Sequence, residues 1–161
     1  MTSEERNARY NHIVKRMMEH VENGTTDWAE DTMLIPAHEY TDADFWQREM
    51  DSTYRKLPIL VGMTHEVPNV GDFKTLDILD VPLIISRQAD GGVKVYMNVC
   101  THRAMTLVQE PTGNKRVFTC PYHAWSFSAD GSLRAVAESS KFGSDCKGRD
   151  LVQFPCYEEG G

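Results

Sequence analysis

Hydrophobic positions recur at helical spacing in the first part of this chain and fall into short β-prone runs after it, and the change of pattern divides it. Between residues 3 and 22, Ala8, Tyr10, Ile13, Val14, Met17, Met18 and Val21 fall at three- and four-residue steps, the spacing of one helix face. Thr2 with Glu5 has the form of a capping box, and Asn23-Gly24 supplies a stop, so the first element is predicted to be a helix. Its apolar stripe calls for a cover, from its own domain or from a neighbouring subunit, and the Met17-Met18 pair is expected to be core. A polar connection containing Pro36 follows. A second helix is then predicted from an N-cap at Thr41 or Asp42, with Trp46, Met50 and Tyr54 on one buried face and Pro58 as its end.

From there the pattern changes. Short β-prone runs cover residues 59–61, 73–79, 82–87, 93–99, 117–120, 125–128, 133–136 and 151–156. Asp90-Gly91 and Asp130-Gly131 are dipeptides favoured in tight hairpins, while Pro111-Thr112-Gly113-Asn114 reads as a loop. The pattern predicts a mainly β protein built of antiparallel sheets and preceded by N-terminal helices, with a helical extension over residues 1–55 and a β domain over 56–161.

Chemistry concentrates in two of the predicted turns. Cys100-Thr101-His102-Arg103-Ala104 and Cys120-Pro121-Tyr122-His123-Ala124-Trp125 each pair one thiol with one imidazole, giving C-x-H and C-x-x-H segments 17 residues apart. Cys100 and Cys120 each end a predicted strand, so both segments are expected as loops at one tip of the sheet. A structural zinc accepts the same four donors, but zinc fingers group two Cys in one knuckle and two His on a helix, whereas each segment here is mixed.

The doubled pattern resembles the signature of a Rieske iron-sulfur centre. Residues 95–104 and 118–125 together are similar to the Rieske domain of the ring-hydroxylating oxygenase alpha subunit. The likeness extends to the lead-in Ile35-Pro36-Ala37, Tyr40-Thr41-Asp42, Leu60-Val61-Gly62 and Val67-Pro68-Asn69-Val70-Gly71-Asp72, and so covers roughly residues 33–161. Ala104 and Ala124 stand where many members of that family have Gly, which bears on the shape of the loops. The resemblance implies a Rieske fold with two cluster-binding loops and a 2Fe-2S cluster, Cys100 and Cys120 holding one iron, His102 and His123 the other.

Such a ligand set has an electronic consequence. Two ferric ions and two sulfides carry +2, so two thiolates bring the oxidised cluster to zero and the reduced one to −1, where four thiolates would give −2 and −3. Rieske potentials accordingly span roughly −150 to +300 mV, against about −400 mV for plant-type ferredoxins. Respiratory Rieske proteins add a disulfide and a hydroxyl near a sulfide; the matching positions here are Met105, Tyr122 and Trp125, so a potential near the bottom of the range, roughly −150 mV, is expected.

By the same resemblance the chain is expected to take electrons from a ferredoxin or flavin reductase and pass them to an oxygenase catalytic domain or subunit, leaving by the exposed edge of His123. The mononuclear Fe(II) of such oxygenases, held by two His and a carboxylate, is expected only on a further domain absent from these 161 residues. A stand-alone Rieske ferredoxin is the alternative, set against it by the lead-in over residues 35–71.

The remaining features narrow the partners. A net charge of −7 argues against nonspecific nucleic-acid binding and against an anionic membrane surface. No stretch is long and apolar enough to span a membrane, and residues 2–16 lack the apolar core of a secretory signal, so a cytoplasmic protein is expected, with homo-oligomerisation open. Cys146 and Cys156 are read as free packing thiols, and His12, His20, His38 and His65 as solvated or locally hydrogen-bonded. Tyr122 and Trp125 are expected to shield the cluster or fill the core, and Arg103 to bond loop carbonyls or carboxylates.

Overall fold

A computed structural model describes residues 2–137, 140, 146 and 148–159. The chain divides into two compact units, Met1–Trp46 and Gln47–Gly161. In the first, α1 (Ser3–Asn23) begins on the expected capping box: the Glu5 N–H donates to Thr2 Oγ1 at 3.2 Å, and the Thr2 N–H donates to the Glu5 carboxylate at 2.8 Å. Gly24, at φ +59°, closes the helix in the left-handed conformation. Beyond it His20 is clasped locally, Nδ1 lying 3.0 Å from Thr25 Oγ1 and Nε2 3.0 Å from Asp27 Oδ1, while Arg16 pairs with the same carboxylate. The apolar stripe differs from expectation. No described residue of α1 is buried, and Met17, expected in a core, is 61% exposed.

The second predicted helix is shorter than its pattern. Asp42 is the N-cap, its carboxylate accepting from the Phe45 N–H at 2.6 Å, but α2 (Ala43–Glu49) passes into a π-helical turn over Met50–Tyr54, with Arg55 N–H bonded to the Met50 carbonyl. The predicted face assumed one α-helical period throughout, and the wider π turn breaks it. Of Trp46, Met50 and Tyr54, only Met50 is buried.

All remaining regular structure is antiparallel β. A five-stranded sheet runs in the order β4-β1-β2-β3-β8, formed by β1 (Asp72–Ile78), β2 (Val81–Arg87), β3 (Val93–Met97), β4 (Thr112–Asn114) and β8 (Gln153–Phe154). A three-stranded meander holds β5 (Val117–Thr119), β6 (Ser126–Ser128) and β7 (Leu133–Ala135). Two expectations fail. Residues 59–61 form no strand, and the Pro111 loop contains β4, whose Thr112 opposes Lys74 at the sheet edge.

Alternation along β2 explains where the core sits. Ile84 points into a cluster with Phe73, Tyr96, Cys100, Phe118, Cys120, Trp125 and Phe127, which draws on both sheets. Leu83 and Ile85 point the other way, into a smaller cluster with Val67 and Val95. Burial on both faces is why this strand reads as an unbroken apolar run.

Turns set the register. Both Asp-Gly dipeptides make the same turn: the Gly91 N–H donates to the Gln88 carbonyl and the Gly131 N–H to the Ser128 carbonyl, with the aspartate of each pair bonding the N–H two residues on. In both, only the glycine has positive φ, +85° and +88°, so these are hairpins closed by a left-handed glycine rather than two-residue turns. Gly131 is constrained twice, since a Cβ there would stand 2.4 Å from the Tyr96 ring. Among the described residues no helix is long and apolar enough to cross a membrane.

Candidate metal centre

The two Cys/His segments leave different sheets. The first follows β3 of the large sheet, while the second is the β5–β6 hairpin of the small one, so they meet across the core instead of sharing one sheet tip. Their backbones nevertheless match. The Ala104 N–H donates to the Cys100 carbonyl and the Ala124 N–H to the Cys120 carbonyl, both at 3.0 Å. The Cys100 N–H donates to the Met105 carbonyl and the Cys120 N–H to the Trp125 carbonyl, both at 2.8 Å. Each loop is closed below by β pairing, Val99 with Thr106 and Thr119 with Ser126.

Such tight six-residue loops require a left-handed residue. Ala104 has φ +57° and Ala124 φ +56°, the two positions where glycine would be the easier choice. On this shared frame the histidine lies two residues after the first Cys and three after the second.

The four side chains sort by donor element. Cys100 and Cys120 are buried, and their thiols lie within hydrogen-bonding reach of each other. Burial pushes the Cys100 thiol up in pKa; backbone N–H groups of His102 and Arg103, directed at its sulfur, act in the opposite sense. The imidazoles of His102 and His123 face each other edge to face, 4.8 Å between centroids at 69°. The Nδ1 atoms of both rings are buried, and that of His123 has no hydrogen-bond partner among the described residues. Desolvation holds His102 below its ordinary pKa, aided by His123, Arg103 and Arg149, so this ring is kept neutral, the form in which imidazole binds a metal.

The surroundings are aromatic. Trp125, fully buried, stacks on His102 at 4.7 Å and 4°. Tyr122 lies 3.7 Å from His123 but is 59% exposed, so it covers an imidazole face at the surface instead of filling the core. Arg103 is exposed, and none of the hydrogen bonds expected of its side chain forms among the described residues. Arg149, which sequence reasoning passed over, has its guanidinium 5.9 Å from the Trp125 ring centre. It follows a glycine-flanked segment with no periodic signal, so nothing in the one-dimensional pattern tied it to the Cys/His loops. Cys146 packs at the edge of the core, whereas Cys156 is exposed, contrary to its expected packing role.

The donor chemistry fits a binuclear iron-sulfur group: two sulfur donors as one pair, two imidazoles as another, and a buried nitrogen lone pair left for a ligand.

Comparison with known proteins gives the same picture. Residues 58–156 match the Rieske 2Fe-2S domain family. The large oxygenase component of salicylate 5-hydroxylase from a Ralstonia species is 40% identical over 108 residues, covering 66% of this chain and 26% of that protein. The large subunit of anthranilate 1,2-dioxygenase from Acinetobacter baylyi is 36% identical over 106 residues, covering 66% and 22%. The chain thus spans about a quarter of these relatives' length. Among solved structures, naphthalene 1,2-dioxygenase with bound indole superimposes with a TM-score of 0.68 at 29% identity, over 74% of this chain and 27% of that one. A quaternary ammonium Rieske monooxygenase, described for carnitine oxidation and inter-subunit electron transfer, gives 0.67 at 31% identity, over 73% and 33%.

Proposed function

The chain belongs to the Rieske 2Fe-2S domain family, and from that premise we propose that it carries single electrons as the Rieske portion of a ring-hydroxylating oxygenase large subunit. Cys100 and Cys120 would hold one iron through sulfur, and His102 and His123 would hold the other through Nδ1, the buried ring atom of each. The observation that carries this reading is the sorting of donors: two matched loops from different sheets set thiol against thiol and imidazole against imidazole.

When bound, the cluster accepts and releases one electron at a time. The protein's own part is positional and electrostatic. The twin loops hold the donors at fixed spacing, so little reorganisation accompanies a change of charge. Trp125, fully buried, backs the His102 ring, and the edge of the half-buried His123 ring is the route of exit. The donor is a ferredoxin or flavin reductase, and the acceptor is a mononuclear iron on another domain or subunit, within a cytoplasmic assembly that includes further copies of the chain.

The oxygenase large subunits among its relatives favour this over a free-standing ferredoxin. Replacement of His123 by Ala tests the ligand set. Anaerobically reconstituted wild-type protein is expected to be coloured and, once reduced, to give the EPR signal of a mixed Cys/His cluster, and His123→Ala to lose both. A variant that keeps the full signal sinks the assignment, and a colourless, EPR-silent wild type containing zinc replaces it with a structural zinc site.

A further inference from the structure

A cation set over the Trp125 face comes from a segment remote in sequence. Arg149 lies on one face of the indole, 5.9 Å from its centre, and the His102 imidazole is stacked on the indole at 4.7 Å with rings nearly parallel. The placement is anchored by three hydrogen bonds. Thr101 Oγ1, one residue before His102, donates to the Arg149 carbonyl at 2.7 Å; the Leu133 N–H donates to Asp150 Oδ1 at 2.7 Å; the Leu151 N–H donates to the Gly131 carbonyl at 2.8 Å. The segment over residues 149–151 is thus fastened to the first loop and to the β6–β7 hairpin, and Trp125, which it overlies, is fully buried.

We infer that Arg149 is a positioning residue for electron transfer: its guanidinium, held over Trp125 beside the His102 ligand, raises the reduction potential of the cluster. The reasoning is electrostatic. Reduction adds one negative charge to the cluster, and a fixed cation beside one of its ligands favours the product over the reactant. Arg149 is itself exposed, so water and salt screen part of the interaction. Arg suits the position better than Lys for stacking, since its planar guanidinium lies flat on an aromatic face, but the charge alone carries the effect on potential.

This rests on the cluster assignment proposed above, so the experiment separates the two. Wild type, Arg149→Gln and Arg149→Lys are reconstituted anaerobically and titrated at pH 7 with dithionite and mediators, following the circular dichroism of the cluster, with EPR g-values recorded on the reduced end point. Arg149→Gln is expected to lower the reduction equilibrium constant about threefold, roughly 30 mV at 59 mV per decade for one electron. Arg149→Lys is expected to stay near wild type, and the difference between Gln and wild type to shrink from 0.1 M to 1 M salt, as the Debye length falls from about 10 to about 3 Å. An unchanged midpoint in Arg149→Gln, or equal falls in Gln and Lys, overturns the inference while leaving the cluster assignment standing. A wild type that takes up no iron and sulfide overturns both.

Discussion

At the scale of single residues, the two loops carry a measurable cost. Ala104 and Ala124 sit at φ +57° and +56°, a region where a Cβ costs roughly 1–2 kcal/mol, against about 0.5–1 kcal/mol that glycine loses through its freer unfolded state. Ala104→Gly and Ala124→Gly are therefore expected to stabilise by about 0.5 kcal/mol each, while Ala135→Gly, on exposed strand β7, destabilises by about the same amount or more. Thermal denaturation of the three variants reads the sign directly; a loss at Ala104 or Ala124 equal to that at Ala135 would remove strain as the explanation. These two alanines also mark how far the site was legible. The C-x-H and C-x-x-H spacings identify the donors, and a departure from glycine at both following positions points to loop shape, but Arg149 reaches the site only through the folding of a later segment over Trp125.

Among the elements, the turns with an Asp-Gly dipeptide were readable from their own residues, whereas the β1–β2 turn was readable only as a gap between two apolar runs. β1 and β2 are joined through Leu79-Asp80 alone, since Ile78 opposes Val81, and both turn residues have positive φ, +52° and +64°. That is a type I′ arrangement, which favours Asn-Gly and gains nothing from a leucine. Its chemistry is masked because Leu79 continues the apolar run of β1, so the sequence pattern carries the strand one residue into the turn. Replacing Leu79-Asp80 with Asn-Gly is expected to stabilise by about 1–2 kcal/mol, a rise of several degrees in melting temperature for a domain of this size. A fall in melting temperature would mean that Leu79, half-buried, contributes more by packing than its backbone costs. Edge strand β4 was missed for a related reason: Thr112-Gly113-Asn114 has turn composition, and its pairing sets Gly113 against Phe73 of β1, whose ring a Cβ there would meet at 2.8 Å.

Over the β unit as a whole, the segment after β8 is tied back across the sheet by one buried cation. The Arg87 side chain, 7% exposed, donates to the carbonyls of Val67, Gly91 and Thr64 and to both carboxylate oxygens of Glu158 at 2.8 and 2.9 Å. Neither period nor motif announces this contact, because it joins residues 71 apart and depends on β8 pairing with β3. The bidentate pair joins a buried charge to a partly exposed one, and removing the carboxylate leaves Arg87 with carbonyl partners only, so Glu158→Gln is expected to cost about 1–2 kcal/mol at neutral pH. Hydrogen bonds from Arg87 hold the Glu158 pKa below its ordinary 4.5. A carboxylate lowered on folding contributes stability fully above its unfolded pKa and loses it as pH falls through the lower folded value. The gap in melting temperature between wild type and Glu158→Gln is therefore expected to be constant from pH 7 to about 5 and to close on further acidification. If the gap persists unchanged at a pH where the wild-type carboxyl is protonated, the stabilisation comes from packing of the terminal segment and not from the ion pair.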